Sequence, residues 1–284
     1  MEIDRRSGLD LSEFETEYIA RSRPVILTDA TAHWDARSKW SFENFEQRFA
    51  DKEVRFDNKA WRVGSFIREL RNSGGARGKV PYLKMVKLDE QFHELRADIG
   101  DLKLAKHNRL ASRLLPRTMR IDRGFVAVFV GTKGSGFSTL HWDLGYLHVF
   151  ISQIVGDKEA ILFRPEDAPF LYANPEQPNL STLPDPFEVD LAKFPAFAKA
   201  NAIRITIKQG ETLFLPGGWW HATYIDHPNI AIAESTLDHF NWGVRKDWFM
   251  KQFRESGVAG SRRKLLGVYM DAVDVALTQR DRFR

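Results

Sequence analysis

The chain contains no cysteine. Disulfides and any zinc site built on thiolates are therefore excluded. It contains no run near the ~20 apolar residues needed to cross a bilayer. It also lacks the apolar core of a signal peptide, because the start reads Met1-Glu-Ile-Asp-Arg-Arg6. These absences predict a cytoplasmic protein with no membrane partner. Excess charge is small as well: 42 Lys and Arg stand against 38 Asp and Glu, a net of +4. That hints at acidic partners and does not call for nucleic acid. The glycine-rich stretch Gly131-Thr-Lys-Gly-Ser-Gly136 lacks the spaced Gly-Lys-Ser/Thr of a phosphate loop and reads as a β connection. No internal repeat is visible.

What is present is a soluble, globular composition, 43% hydrophobic and 28% charged over 284 residues. That length fits one large domain or slightly more. The chemistry concentrates in Ser138-Thr-Leu-His-Trp-Asp143 and, 80 residues further on (221 − 141), in Trp219-Trp-His221. The first stretch lies between the β-rich runs 124–130 and 148–155. In an extended chain, residues i and i+2 point the same way, so His141 and Asp143 share a face and Trp142 takes the other. His221 follows the apolar strand 211–215 and the turn Pro216-Gly-Gly218. Two imidazoles and one carboxylate on one side of an ion leave its other positions open, the facial arrangement of non-haem Fe(II) oxygenases. Taken alone, the His-x-Asp pair reads first as a buried hydrogen bond; its setting between apolar β runs and after glycine turns favours the ligand reading.

Along the chain, residues 11–22 and 41–50 are predicted helical, with Ser41 as N-cap. Residues 24–27, 52–57 and 81–86 are predicted strands, 65–71 a short helix, 72–78 a turn, and 89–97 a helix capped by Asp89. Residues 102–123 carry seven basic side chains, Lys103, Lys106, Arg109, Arg113, Arg117, Arg120 and Arg123. The first four are spaced for one helical face, which reads either as a solvated face or as a basic wall near the site. Seven prolines between 165 and 195 predict an ordered loop. Four closely spaced strands, 203–207, 211–215, 219–225 and 229–234, indicate a β-sandwich or barrel. Residues 244–284 turn helical.

Several stretches together resemble the jumonji-C or cupin-like Fe(II)/2-oxoglutarate-dependent oxygenases, nearest to the asparaginyl-hydroxylase and jumonji lysyl-hydroxylase types. They are Pro24-Val-Ile-Leu27 with Trp34 and Trp40; Tyr82-Leu83; His141-x-Asp143 followed by Gln153-Ile-Val-Gly-Asp-Lys158 and Leu162-Phe-x-Pro165; and Gly210-Glu-Thr-Leu-Phe-Leu-Pro-Gly-Gly-Trp-Trp-His221. The resemblance covers residues 24–240. It implies a mainly β fold with flanking helices: a double-stranded β-helix, or jelly-roll barrel, over about 124–240. N-terminal α/β elements would fill 1–123 of a catalytic domain 1–240, with a C-terminal helical region at 241–284.

By the same resemblance, His141, Asp143 and His221 match the iron ligands. Lys158, 17 residues after His141 (158 − 141), matches the lysine that pairs with the far carboxylate of 2-oxoglutarate. Tyr82 and Ser138 match hydroxyls on that carboxylate. Ser235 stands where the family often has asparagine. The family's asparagine on the strand after His-x-Asp is not evident here, where His148, Ser152 and Gln153 stand instead. The implied cofactors are Fe(II), 2-oxoglutarate and O₂, and the implied reaction is hydroxylation of a protein or peptide side chain. A small-molecule substrate, N-methyl demethylation, a non-catalytic cupin-like binding protein and a zinc hydrolase remain as alternatives. A basic wall of Lys103, Lys106, Arg109 and Arg113 would favour an acidic substrate. The apolar spacing of Leu265, Leu266, Tyr269, Val273 and Leu277 fits either a homodimer contact or a helix folded back on its own barrel.

Overall fold

The computed structural model describes residues 2–75, 79–121 and 125–282. Arg123, the start of the predicted strand at Gly124 and the 76–78 part of the predicted turn lie outside them. Among the described residues twelve strands form: β1 (Asp4–Arg6), β2 (Val25–Leu27), β3 (Glu53–Phe56), β4 (Lys59–Arg62), β5 (Leu83–Lys87), β6 (Phe125–Gly131), β7 (His148–Val155), β8 (Lys158–Phe163), β9 (Ile203–Ile207), β10 (Thr212–Leu215), β11 (Trp220–Tyr224) and β12 (Asn229–Thr236). They build a seven-stranded sheet of order β1-β2-β10-β7-β12-β6-β5, a three-stranded sheet β11-β8-β9, and the hairpin β3-β4. The two larger sheets share a core that includes Ala127, Phe129, Val149, Ile151 and Ala231 from one and Ala160, Leu162, Ile203 and Ile207 from the other. They therefore pack face to face, and the fold is the expected mainly β, cupin-like jelly roll.

Strict alternation makes this possible. Val126, Val128 and Val130 of β6 pack outward against the N-terminal helices, whereas Ala127 and Phe129 turn inward. Phe150 and Ile154 of β7 go outward while Val149 and Ile151 go inward. A slip of one residue would exchange the two sets, so burial on both faces fixes the register. The proline-rich segment covers the outer face of the small sheet, where Leu171, Leu183 and Phe187 meet Ile161, Phe163, Trp220 and Ala222. No helix among the described residues is long and apolar enough to cross a membrane.

Ser41 caps the helix Phe42–Arg48, accepting from the Asn44 amide at 3.1 Å. The predicted helix at 89–97 divides into Leu88–Gln91 and a 3₁₀ segment His93–Asp98. The predicted basic helical face does not form. Beyond a short 3₁₀ turn, Lys103–Ala105, the segment up to residue 121 is turns and loop. Arg109 is fully buried, with Nη1 2.7 Å from Asp274 and Nε 3.1 Å from Asp281, and Nη2 donating to Thr278 at 2.9 Å. All three partners lie on the C-terminal helix Gly260–Arg282. That tertiary pull overrides the local helical spacing. Arg109→Ala would leave Asp281 to Arg280 and Asp274 to Thr278, and a loss of about 3 kcal/mol in unfolding stability, the low end for a broken buried ion pair, is expected; chemical denaturation of the variant measures it.

The C-terminal helices His239–Glu255 and Gly260–Arg282 close a further core, in which Trp242, Phe249, Met270, Val273 and Leu277 pack on Leu110, Leu115, Leu147 and Leu237. Of the predicted dimer stripe, Val273 and Leu277 are thus buried within the chain and Leu266 packs against the same core. Leu265, 72% exposed, and Tyr269 stay outside, joined by Val268 and Val275.

Candidate functional site

The alternation that builds the core also aims the site. On β11, Trp220 and Ala222 face the proline-rich cover, so His221 and Thr223 face inward. On β8 the same rule turns Lys158 inward beside Ala160 and Leu162. Val149 and Ile151 of β7 and Ala233 and Ser235 of β12 complete the opposite wall of one cavity. His141 is delivered separately. Its backbone pairs with His221 through two hydrogen bonds, His141 N–H to His221 O at 3.0 Å and His221 N–H to His141 O at 2.7 Å. The two rings then lie 4.3 Å apart between centroids. Two residues on, Asp143 starts a turn closed by the Tyr146 amide onto its carbonyl at 3.1 Å. Its carboxylate comes to 3.9 Å from His221 Nε2. Trp142 points away and stacks on Tyr146.

The turn before β11 holds His221 in place. Gly218 has φ +89°, and a side chain at Gly217 would collide with the Tyr146 backbone. The Gly217 amide donates to His148 Nδ1 at 2.8 Å. His148 therefore serves the frame of the site, and its ring is not part of the cluster.

His141, Asp143 and His221 present one ligand atom each, all within 4.8 Å of one another. His141 Nδ1 lies 2.8 Å from Thr139 O, and His221 Nδ1 lies 3.2 Å from Trp219 O. Each carbonyl calls for a proton on Nδ1, which leaves the Nε2 lone pairs free to ligate. Burial lowers the pKa of both histidines to about 4, so both are neutral near pH 7. Burial raises that of Asp143, against the influence of His141. Crowding a carboxylate and two desolvated imidazoles without a cation is costly, and a bound cation favours the ligating form of all three.

Lys158 is buried, 3% exposed, and its ammonium donates to the Tyr82 hydroxyl at 3.2 Å. Desolvation lowers its pKa to about 7 and pushes the Tyr82 phenol well above its ordinary range. Tyr82 hence stays protonated and keeps a proton to donate. Of the predicted hydroxyls, Ser235 lines the cavity and Ser138 is not among its lining residues. Thr223 is there instead. It went unnoticed in the sequence, although its place two residues after His221 put it on the same face. Arg109 is enclosed at the C-terminal helix and cannot meet a substrate. Lys103 lines a different cleft with Leu27 and Phe150, which belong to the outward face of the large sheet. Lys106 and Arg113 are exposed, and neither lines the cavity.

The cupin-like domain family matches residues 11–234. The chain is 25% identical to the arginine-specific demethylase JMJ20 of Arabidopsis thaliana over 90% of its own length and 61% of that protein. It is 23% identical to tRNA wybutosine-synthesizing protein 5 of Gallus gallus, over 82% and 76% of the two chains. With the lysine-specific demethylase JMJ30 of Arabidopsis thaliana it shares 25% identity over 82% of this chain and 54% of that one. The chain thus spans between about half and three quarters of the length of these relatives. With the fold, the inward-facing cluster and the match over most of its residues in agreement, the chain belongs to the cupin-like, jumonji-C family.

Proposed function

We propose that this protein is an Fe(II)- and 2-oxoglutarate-dependent oxygenase that hydroxylates a carbon of a protein or peptide side chain. The observation that carries the reading is the pairing, within one cavity, of a His-Asp-His cluster with a buried Lys158–Tyr82 pair. The donor set fits the metal. Two neutral imidazoles and a carboxylate, grouped on one side, suit ferrous iron and leave positions for a chelating keto-acid and O₂. His141 and His221 would ligate through Nε2, and Asp143 through a carboxylate oxygen. The iron and keto-acid together supply the oxidative chemistry, in which 2-oxoglutarate becomes succinate and CO₂ and one oxygen atom goes to the substrate.

The chain's own residues do the rest. Lys158 and Tyr82 offer an ammonium and a hydroxyl to the far carboxylate of 2-oxoglutarate, a charge-assisted pairing in a dry site. Val149, Ile151, Phe129 and Ala233 line the space beside them and keep water from it. Ser235 and Thr223 offer further hydroxyls. A zinc hydrolase gives Lys158 and Tyr82 no shared task. A passive binding protein has no need of three converging ligands over a buried ammonium.

The relatives' names include demethylases, which favours N-methyl demethylation as the second reading. They also include a tRNA-modifying enzyme, so family membership carries the reaction centre and leaves the substrate open. Incubation with Fe(II), 2-oxoglutarate, O₂ and candidate peptides, followed by mass spectrometry, separates the readings. A gain of one oxygen marks hydroxylation, and loss of a methyl with release of formaldehyde marks demethylation. Consumption of neither peptide nor 2-oxoglutarate contradicts both.

We further propose that a second copy of the chain covers the exposed stripe Leu265, Val268 and Val275, whose spacing of three and seven residues keeps one helical seam. A dimeric mass by analytical ultracentrifugation at micromolar concentration is expected, with Leu265→Lys combined with Val268→Lys giving a monomer. A monomeric wild type contradicts this contact.

A further inference from the structure

Met85 breaks a local rule. It lies within β5 at φ +56°, a left-handed conformation that a β-carbon disfavours. The cause is a bulge. Leu83 pairs with Val130 and Val86 with Val128, so Lys84 and Met85 together oppose Phe129 alone. A bulge re-aims side chains, and this one lets Met85, 47% exposed, line the cavity that Phe125 and Phe137 also line. Glycine would adopt this backbone without strain. The chain keeps a long, adaptable thioether there, and strain of this kind persists where the side chain itself has a use.

The surroundings define that use. Among the described residues lining the cavity, Asp143 is the only carboxylate and Lys158 the only ammonium. Asp143 is occupied in the ligand cluster, and Lys158 sits against Tyr82. Lys84, next to Met85, holds its ammonium 5.5 Å from the Phe137 ring and 3.5 Å from Asp57. The Phe129 ring already has the Lys158 ammonium at 5.6 Å. An entering ammonium or guanidinium would find these two rings already facing cations, and no carboxylate beyond the ligand. A carboxylate would lose its hydration against Phe125, Phe137 and Met85, with only the neutral hydroxyls of Ser235 and Thr223 in return.

We infer that Met85 is a specificity-determining residue: with Phe125 and Phe137 it forms an apolar wall that admits an uncharged, apolar substrate side chain and rejects cationic and acidic ones. This rests on the oxygenase reading above, and the test separates the two. The protein has 5 methionines, so ¹³C-methyl labelling gives few signals, and Met85→Leu identifies the one from Met85. The probes are N-acetyl-Gly-X-Gly amides with X as leucine, phenylalanine, lysine, Nε-trimethyllysine or glutamate, added to the 284-residue chain loaded with diamagnetic Zn(II) and 2-oxoglutarate. The leucine and phenylalanine probes are expected to shift the Met85 methyl signal, and the charged probes are not. Met85→Glu should raise binding of the lysine probe relative to the leucine probe at least tenfold. Met85→Gly should keep a thermal midpoint at or above that of the wild type while losing the preference for leucine over lysine. A response to charged probes, or to none, overturns the wall; so does a Met85→Gly protein that melts lower with its preference intact. Succinate formation by the Fe(II)-loaded protein is followed in parallel. A Met85 response without succinate in any sample refutes the oxygenase reading and leaves the wall standing.

Discussion

Replacing His141 or Asp143 by alanine is expected to abolish both Fe(II) binding and succinate formation while the fold survives. The two side chains come from a short extended segment that is held by backbone hydrogen bonds to His221, so truncating either leaves the pairing intact. What is lost is a ligand. Loss of outer partners of metal ligands costs about 10–100-fold, and loss of a ligand itself should exceed that. Stability is expected to hold or rise in the metal-free protein, because the cluster crowds desolvated groups of which two are histidines driven to about 4. Thermal melts with and without Fe(II) under anaerobic conditions read both effects. Metal should raise the midpoint of the wild type through binding linkage and leave the variants unmoved. Variants that retain a metal-induced shift and succinate release would remove these residues from the metal site.

Lys158→Met is expected to separate binding from stability. Affinity for 2-oxoglutarate should fall by about 1.5–3 kcal/mol, the range for hydrogen bonds to charged groups. Stability of the ligand-free protein should rise, by about 1–4 kcal/mol, as when apolar groups of similar volume replace buried charge. The pH dependence has a definite sign. Burial holds the Lys158 pKa at about 7, whereas in the unfolded chain it returns to ~10.4. Between those values the unfolded state binds the extra proton, so wild-type stability gains with rising pH. The advantage of Lys158→Met is therefore full below pH 7 and shrinks as pH approaches 10. Affinity for 2-oxoglutarate runs the other way. The dianion needs the charged ammonium, so wild-type affinity should weaken above pH 7 by up to tenfold per pH unit. Calorimetric titrations and denaturation curves across that range check both slopes. A Lys158→Met protein that binds 2-oxoglutarate as the wild type does would mean that another cation holds it.

These outcomes bear on what the amino-acid order made legible. Alternation is a local property, and β9 and β12 emerged from it nearly residue for residue. The ligand candidates were legible for the same reason: i, i+2 spacing and a glycine turn before His221 are short-range signals. β1, Asp4–Arg6, was not. It is three polar residues whose strand character exists only through pairing with β2. The stretch from Lys103 to Arg113 failed for a long-range reason. Its spacing suits a helix, but Arg109 is drawn inward by Asp274 and Asp281, more than 160 positions away in the chain. Ser138 was carried over by resemblance alone, and Thr223, not Ser138, is among the residues that line the cavity. Met85 was invisible because a bulge cancels the alternation from which its direction would be read.

The central claim is that His141, Asp143 and His221 hold Fe(II) in the cavity where Lys158 and Tyr82 receive 2-oxoglutarate. The most direct measurement is an anaerobic titration of the Fe(II)-loaded protein with 2-oxoglutarate, following the visible charge-transfer absorption that a keto-acid acquires on chelating ferrous iron. The band should saturate at one equivalent in the wild type, fail to appear in Asp143→Ala, and need higher 2-oxoglutarate in Lys158→Met. A wild-type protein that binds Fe(II) and develops no band at any 2-oxoglutarate concentration would contradict the account.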